Sequence, residues 1–187
     1  MQAIAQKWFY AFLATGALDA DDRDIFIYGF EVLVSSVGTL VATLLFGSIA
    51  ALTAETIAYL AVFTPVRGGI GGFHASSARK CFLLTLSITA VGTYWGRLLT
   101  PWLIVAMTIT SLLLIFTFAP FIHPNNPHTP TSQHMLRARA RTLGVAVSIT
   151  IGIACNFQPS LAAVMATAFF TAAMGMLAGK LMPYQAK

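Results

Sequence analysis

A cysteine and a histidine seven residues apart, Cys81 and His74, are the side chains in this sequence best suited to covalent chemistry. A thiolate attacks a carbonyl carbon, and an imidazole within hydrogen-bond reach takes up and returns the proton. Both lie in the segment Arg67-Gly68-Gly69-Ile70-Gly71-Gly72-Phe73-His74-Ala75-Ser76-Ser77-Ala78-Arg79-Lys80-Cys81. On one continuous helix the pair would share a face but stand roughly 10 Å apart along the axis. A hydrogen bond needs about 3.2 Å. Cooperation therefore requires the chain to bend between them. Four glycines in the five residues Gly68–Gly72 each cost about 1 kcal/mol in a helix interior relative to Ala, so the stretch reads as unfit for one. Backbone N–H groups freed there could hold an anion or an oxyanion. Ser76 and Ser77 suit an N-cap and would start the next helix, with Cys81 in or near its first turn. A helix N-terminus favours a thiolate, as do the neighbouring cations Arg79 and Lys80.

The same residues have plainer readings. A histidine beside a membrane surface is usually solvated, and Arg79 and Lys80 suffice as topology anchors. Cys155 reads as a small buried hydrophobe. A zinc site built from His74, Cys81, His123 and His128 lacks a close ligand pair such as CxxC. Neither HExxH nor GxSxG occurs. Glu31 and Glu55 are the carboxylates within or beside apolar stretches, too few for an aspartyl or metal–carboxylate mechanism. No metal and no cofactor is expected.

The elements that position these groups belong to a membrane. Of the 187 residues, 57% are hydrophobic and 9% charged, against about 25% charged in a soluble domain. Mean hydropathy is +0.77. The length suits one bundle, a single domain over residues 1–187. The net charge of +5 would suggest nucleic acid in a soluble protein, but the basic residues flank apolar runs, which fits membrane orientation better. Six such runs are predicted to span: Ile25–Ala50, Leu52–Pro65, Cys81–Leu99, Pro101–Pro120, Thr142–Phe157 and Pro159–Met182. The second and fifth fall short of the roughly 20 residues a span needs, so four spans with re-entrant segments is the alternative. Before them, Ile4, Ala5, Trp8, Phe9 and Phe12 share one helical face, opposite Gln2, Gln6, Lys7 and Tyr10. That predicts an amphipathic interfacial helix rather than a cleaved signal.

With the N-terminus inside, ten of the eleven Lys and Arg residues fall on the inner side and only Arg97 on the outer. The positive-inside rule then places the Arg67–Cys81 segment at the cytoplasmic face. The segment His123–Gln133, rich in Pro, Asn and His, reads as an irregular connection. Glu31, deep in an apolar run, is costly facing lipid and is expected to face the protein interior, with Arg67 and His74 as available partners. Ala163, Thr167, Thr171, Gly175 and Gly179 recur every four residues along the last run. Such a row lets another helix approach closely, within the bundle or across a homodimer.

Arg67, the glycine pair Gly71-Gly72, an aromatic, His74, then Cys81 seven residues on resemble the motif of the AgrB family. Tyr28-Gly29-Phe30-Glu31 at the start of the first span resembles it too, as do Ala119-Pro120 and the following His123-Pro124-Asn125-Asn126-Pro127. The three stretches in order cover nearly the whole chain. The resemblance implies an all-α polytopic helical bundle in the bacterial cell membrane. It implies a cysteine endopeptidase that cuts the C-terminal tail from an AgrD-like signalling propeptide at the cytoplasmic face. An acyl thioester would form, and a Cys or Ser within the peptide would close a thiolactone or lactone ring. In those terms Cys81 is the nucleophile and His74 the base, with Arg67, Gly71, Gly72 and Glu31 in supporting roles and Arg79 and Lys80 drawing the acidic tail. The reading from another class is a small non-catalytic membrane transporter or peptide-binding protein.

Overall fold

The structure, a computed structural model, describes residues 2–16, 18–71, 78–120 and 130–181. Among these the regular elements are helical: α1 (Gln2–Ala14), a 3-10 turn (Ala20–Asp22), α2 (Arg23–Ile49), α3 (Thr53–Ile70), α4 (Ala78–Gly96), α5 (Pro101–Phe118), α6 (Pro130–Phe157) and α7 (Pro159–Leu181). The chain divides into two compact units, Met1–Ala42 and Thr43–Lys187.

In the first unit α1 forms where the wheel pattern places it. Ala5 and Phe9 are buried, and Phe9 and Phe12 meet Phe26 of α2 at ring-centroid distances of 5.7 and 5.8 Å. The predicted apolar face is only partly used this way. Ile4, Trp8 and Phe12 stay exposed, as expected of a helix that lies in a bilayer interface. The aspartates cluster at the 3-10 turn, where the Asp19 N–H donates to the Asp22 carboxylate at 3.3 Å.

The second unit is organised around α7. Half of its apolar window is buried, against 17% for α5 and 22% for α6. Its sequence explains why: alanines, glycines and threonines occupy the faces that other helices must approach. Ala162, Ala163, Ala166, Ala172 and Ala173 are fully or almost fully buried, with Phe169 and Met176 filling the remaining volume. Against this surface pack α3, α4, α5 and α6. Tyr59, Phe63, Val66 and Ile70 of α3 line the core at a spacing of three and four residues. The outward faces are as apolar as the core: Leu83, Val91, Val105, Ile109, Leu113, Ile149 and Ile153 are all exposed. Patches of that extent suit hydrocarbon rather than water. Three helices are long and apolar enough to cross a membrane, Pro101–Phe118, Gln133–Phe157 and Pro159–Leu181, and α2 adds an apolar stretch over Leu33–Ile49. The architecture is an all-α membrane bundle.

Two expectations about element bounds are corrected. The second apolar run ends at Pro65, but α3 passes through that proline and through Gly68 and Gly69 to Ile70. The glycines occupy the last turn, where their low propensity costs least. Gly69 also sits where a Cβ would come within 3.1 Å of the Leu143 side chain of α6, so close packing offsets the propensity loss. The fifth run begins at Thr142, but α6 starts at Pro130. Its extra turns carry Arg137, Arg139 and Arg141, polar residues that hydropathy reads as outside a span although they continue the helix.

Candidate functional site

Before His74, the helix that carries Arg67 ends at Gly71. This residue closes α3, its N–H donating to the Arg67 carbonyl at 3.1 Å, with φ 73° and ψ −171°. Only glycine adopts that conformation without strain. Gly72, His74, Ser76 and Ser77 lie outside the described residues. The chain resumes in α4, where Cys81 is half-buried four residues into the helix as described. By then it has turned back, because Arg67 of α3 and Cys81 of α4 interact electrostatically and the two helices pack together.

Arg67 is held from several sides. Its guanidinium lies 5.9 Å from the centre of the Phe63 ring, one turn back on the same helix. On α7 it comes so near Gly175 that a Cβ there would be 3.2 Å from Nη1. Gly175 belongs to the small-residue row, and the row now has a use inside the chain. Thr167 faces Gly96, where a Cβ would meet its hydroxyl at 2.9 Å, and Ala163 and Gly179 are buried. Thr167 and Gly175 each accommodate a neighbour within the bundle.

The surroundings are basic. Lys80 is exposed beside Cys81. Arg141 donates from Nη2 to the Phe116 carbonyl at the end of α5, and the Lys180 ammonium sits 4.7 Å from the Phe118 ring centre. Arg137 and Arg139 precede Arg141 on α6, both exposed. Arg67, Lys80, Arg137, Arg139, Arg141 and Lys180 therefore gather at one end of the second unit, with Cys81. The other end carries Arg97, stacked on Tyr94 at 5.2 Å, together with the exposed Tyr94, Trp95 and Trp102. Aromatic residues of this kind prefer the membrane–water boundary.

Other sequence candidates fall as follows. Cys155 is half-buried and packs against the hydrophobic core, the plainer of its readings. Glu55 begins α3, about 18 Å along the axis from Arg67 at 1.5 Å per residue, too far to orient a base at Cys81. Glu31 lies in α2, but its side chain, like that of Arg79 in α4, is outside the described residues. So are His123 and His128. Among the described residues no three His, Cys, Asp or Glu side chains gather as metal ligands. The contact of Arg67 with Gly175 escaped the sequence reading. The four-residue period of small side chains marked α7 as a close-packing surface but not what would use it.

The model of one family, Accessory gene regulator B, matches residues 5–178 of the chain. The chain belongs to this family. Membership implies a part in accessory gene regulator quorum sensing, with an AgrD propeptide as partner. No curated protein and no solved structure matches the chain.

Proposed function

We propose that this AgrB-family chain is a multi-pass cysteine endopeptidase of the bacterial cell membrane. It removes the C-terminal tail of an AgrD-like propeptide and closes the remaining peptide into a ring. The observation that carries this reading is the placing of Cys81, early in α4, at the basic end of the bundle, where α4 packs against the helix that carries Arg67. The thiolate is the form of a cysteine that attacks. His74 is the base and acid the motif supplies.

The Cys81 thiolate adds to the scissile carbonyl. The C–N bond breaks as imidazolium His74 protonates the departing amine, and the tail leaves. The peptide stays as an acyl thioester. An internal thiol or hydroxyl of the peptide, deprotonated by His74, then attacks the thioester carbonyl, forming the thiolactone or lactone and releasing the Cys81 thiolate. The thioester bond energy passes into the ring, so the step needs no ATP. Water competes for the same carbonyl, and restricted water access at the membrane boundary keeps hydrolysis slower than closure. Lys80 and Arg79 attract an acidic tail to the site.

The test is a cleavage assay in cells or vesicles. Cys81→Ser and His74→Ala each abolish tail removal with insertion intact, while Cys155→Ala cleaves normally. The wild type yields a hydroxylamine-sensitive adduct at Cys81. Cleavage by Cys81→Ala, or an adduct at Cys155, would refute the assignment and favour a non-catalytic role.

A further inference from the structure

An open groove of about 410 Å³ runs along the outer surface of the second unit, lined by Phe116 of α5 and by Arg141, Thr142, Val145, Ala146 and Ile149 of α6. We propose that it binds one anionic phospholipid, with the phosphate at Arg141 and Arg137 and an acyl chain along Val145, Ala146 and Ile149.

Three observations carry this. First, Arg137, Arg141, Val145 and Ile149 follow one another at four-residue steps, so each neighbours the next on the α6 surface. The stripe is cationic over its first two members and apolar over its last two. That is the polarity of an amphiphile lying head to tail, and Arg141 to Ile149 spans about 12 Å at 1.5 Å per residue. Second, the Arg141 guanidinium is already oriented. It donates to the Phe116 carbonyl at 3.1 Å and sits 5.4 Å from the Phe116 ring centre, which leaves most of its five N–H donors for a ligand. Third, the cationic mouth lies at the basic end of the bundle, where a bilayer presents its anionic headgroups. A peptide fits the groove less well. Its backbone N–H and C=O groups need partners, whereas the lining offers only Arg141 and the Thr142 hydroxyl, which already donates to Ala138. An acyl chain needs none.

The measurement is electron paramagnetic resonance of the full chain in phosphatidylcholine vesicles doped with spin-labelled phosphatidylglycerol or spin-labelled phosphatidylcholine. The wild type restricts the phosphatidylglycerol label in preference to the phosphatidylcholine label. The preference is at least about fivefold, the effect of one basic side chain near an anionic headgroup. The Arg137→Gln/Arg141→Gln double variant loses the preference. Ala146→Trp, which fills the groove and leaves every charge in place, loses it as well. Equal restriction of the two labels by the wild type overturns the proposal, and so does a preference that survives Ala146→Trp, since that reports net charge alone. Displacement of the phosphatidylglycerol label by a soluble glutamate-rich peptide would give the groove to a peptide instead.

Discussion

Gly175 is where the packing of α7 meets Arg67, and its substitution tests whether Arg67 acts on Cys81 as the proposed mechanism requires. A Cβ at this position stands 3.2 Å from Arg67 Nη1. Ordinary contacts between non-bonded heavy atoms fall at about 3.5–4.0 Å, so Gly175→Ala moves the guanidinium by about 0.3–0.8 Å. The atom in the way is the far end of a long side chain, so the stability cost is small. The cost to function is larger, because a misplacement of about 1 Å can lose about 100-fold in rate. Gly175→Ala should therefore lower kcat/KM for tail cleavage several-fold, and Gly175→Leu, which occupies the guanidinium's place, should match Arg67→Gln. Two readouts are needed. The first is propeptide cleavage in vesicles. The second is the rate of Cys81 alkylation by iodoacetamide, which reports thiolate reactivity without substrate and should fall in the same order. In an Arg67→Gln background Gly175→Leu should add nothing, because both act through one group. A folded Gly175→Leu protein that alkylates and cleaves like wild type would refute the coupling of Arg67 to Cys81. Equal losses from Gly175→Leu with and without Arg67 would make its effect purely structural.

The remaining predictions concern packing, orientation and the acid in α2. Gly92 of α4 lies where a Cβ would come 2.5 Å from the buried Tyr59 ring. Overpacking of this kind costs about 1–3 kcal/mol, against a helix-propensity gain of about 1 kcal/mol. Gly92→Ala should lower the melting temperature in detergent, and the penalty should vanish in a Tyr59→Leu background; a penalty unchanged by Tyr59→Leu would show that the ring is not what Gly92 makes room for. A single cysteine at residue 78 should resist a membrane-impermeant reagent in intact cells while one near Arg97 reacts, and external labelling at 78 would invert the orientation. Glu31→Gln should express normally and lose cleavage. Full activity in that variant would remove Glu31 from the site.

Much of the bundle was legible because hydropathy is a one-dimensional property that membranes enforce. The six apolar runs became α2 to α7, with starts and ends shifted where polarity and helicity part company. Arg137, Arg139 and Arg141 are polar yet helical, since a helix keeps its internal hydrogen bonds as it leaves the bilayer, so the run beginning at Thr142 understated α6. Gly68 and Gly69 are poor helix formers at about 1 kcal/mol each, yet both lie in the last turn of α3, and Gly69 packs closely against Leu143. The amphipathic reading of α1 found the helix but not which of its apolar residues would be buried, because Ala5 and Phe9 are chosen by a partner surface and not by the wheel. In the candidate site, spacing alone called for a turn between His74 and Cys81; the residues that would form it lie outside the described ones, and what the structure adds is the end of α3 at Gly71. The partners of Arg67 could not be read from spacing. Gly175 is more than a hundred residues away in the chain, and only the docking of α7 brings it there.

That docking bears on what the small residues of α7 do. α3 and α4 lie close together on the surface of α7, and large side chains on α7 would hold them apart. The row Ala163, Thr167, Thr171, Gly175 and Gly179 removes that obstacle turn by turn: Thr167 takes Gly96 of α4, and Gly175 takes Arg67 of α3. The hydroxyls in the row disturb nothing, because Thr167 donates to the Ala163 carbonyl at 2.9 Å and Thr171 to the Thr167 carbonyl at 2.6 Å. They donate within the helix, and the Thr167 oxygen still faces Gly96 of α4. A cation is costly to hold against apolar helices, and Arg67 is kept there by the Phe63 ring and the notch at Gly175, at the basic end of the bundle with Cys81. In the proposed mechanism the small residues of α7 thus act through Arg67, and a substitution that restores bulk at Gly175 should cost activity before it costs the fold.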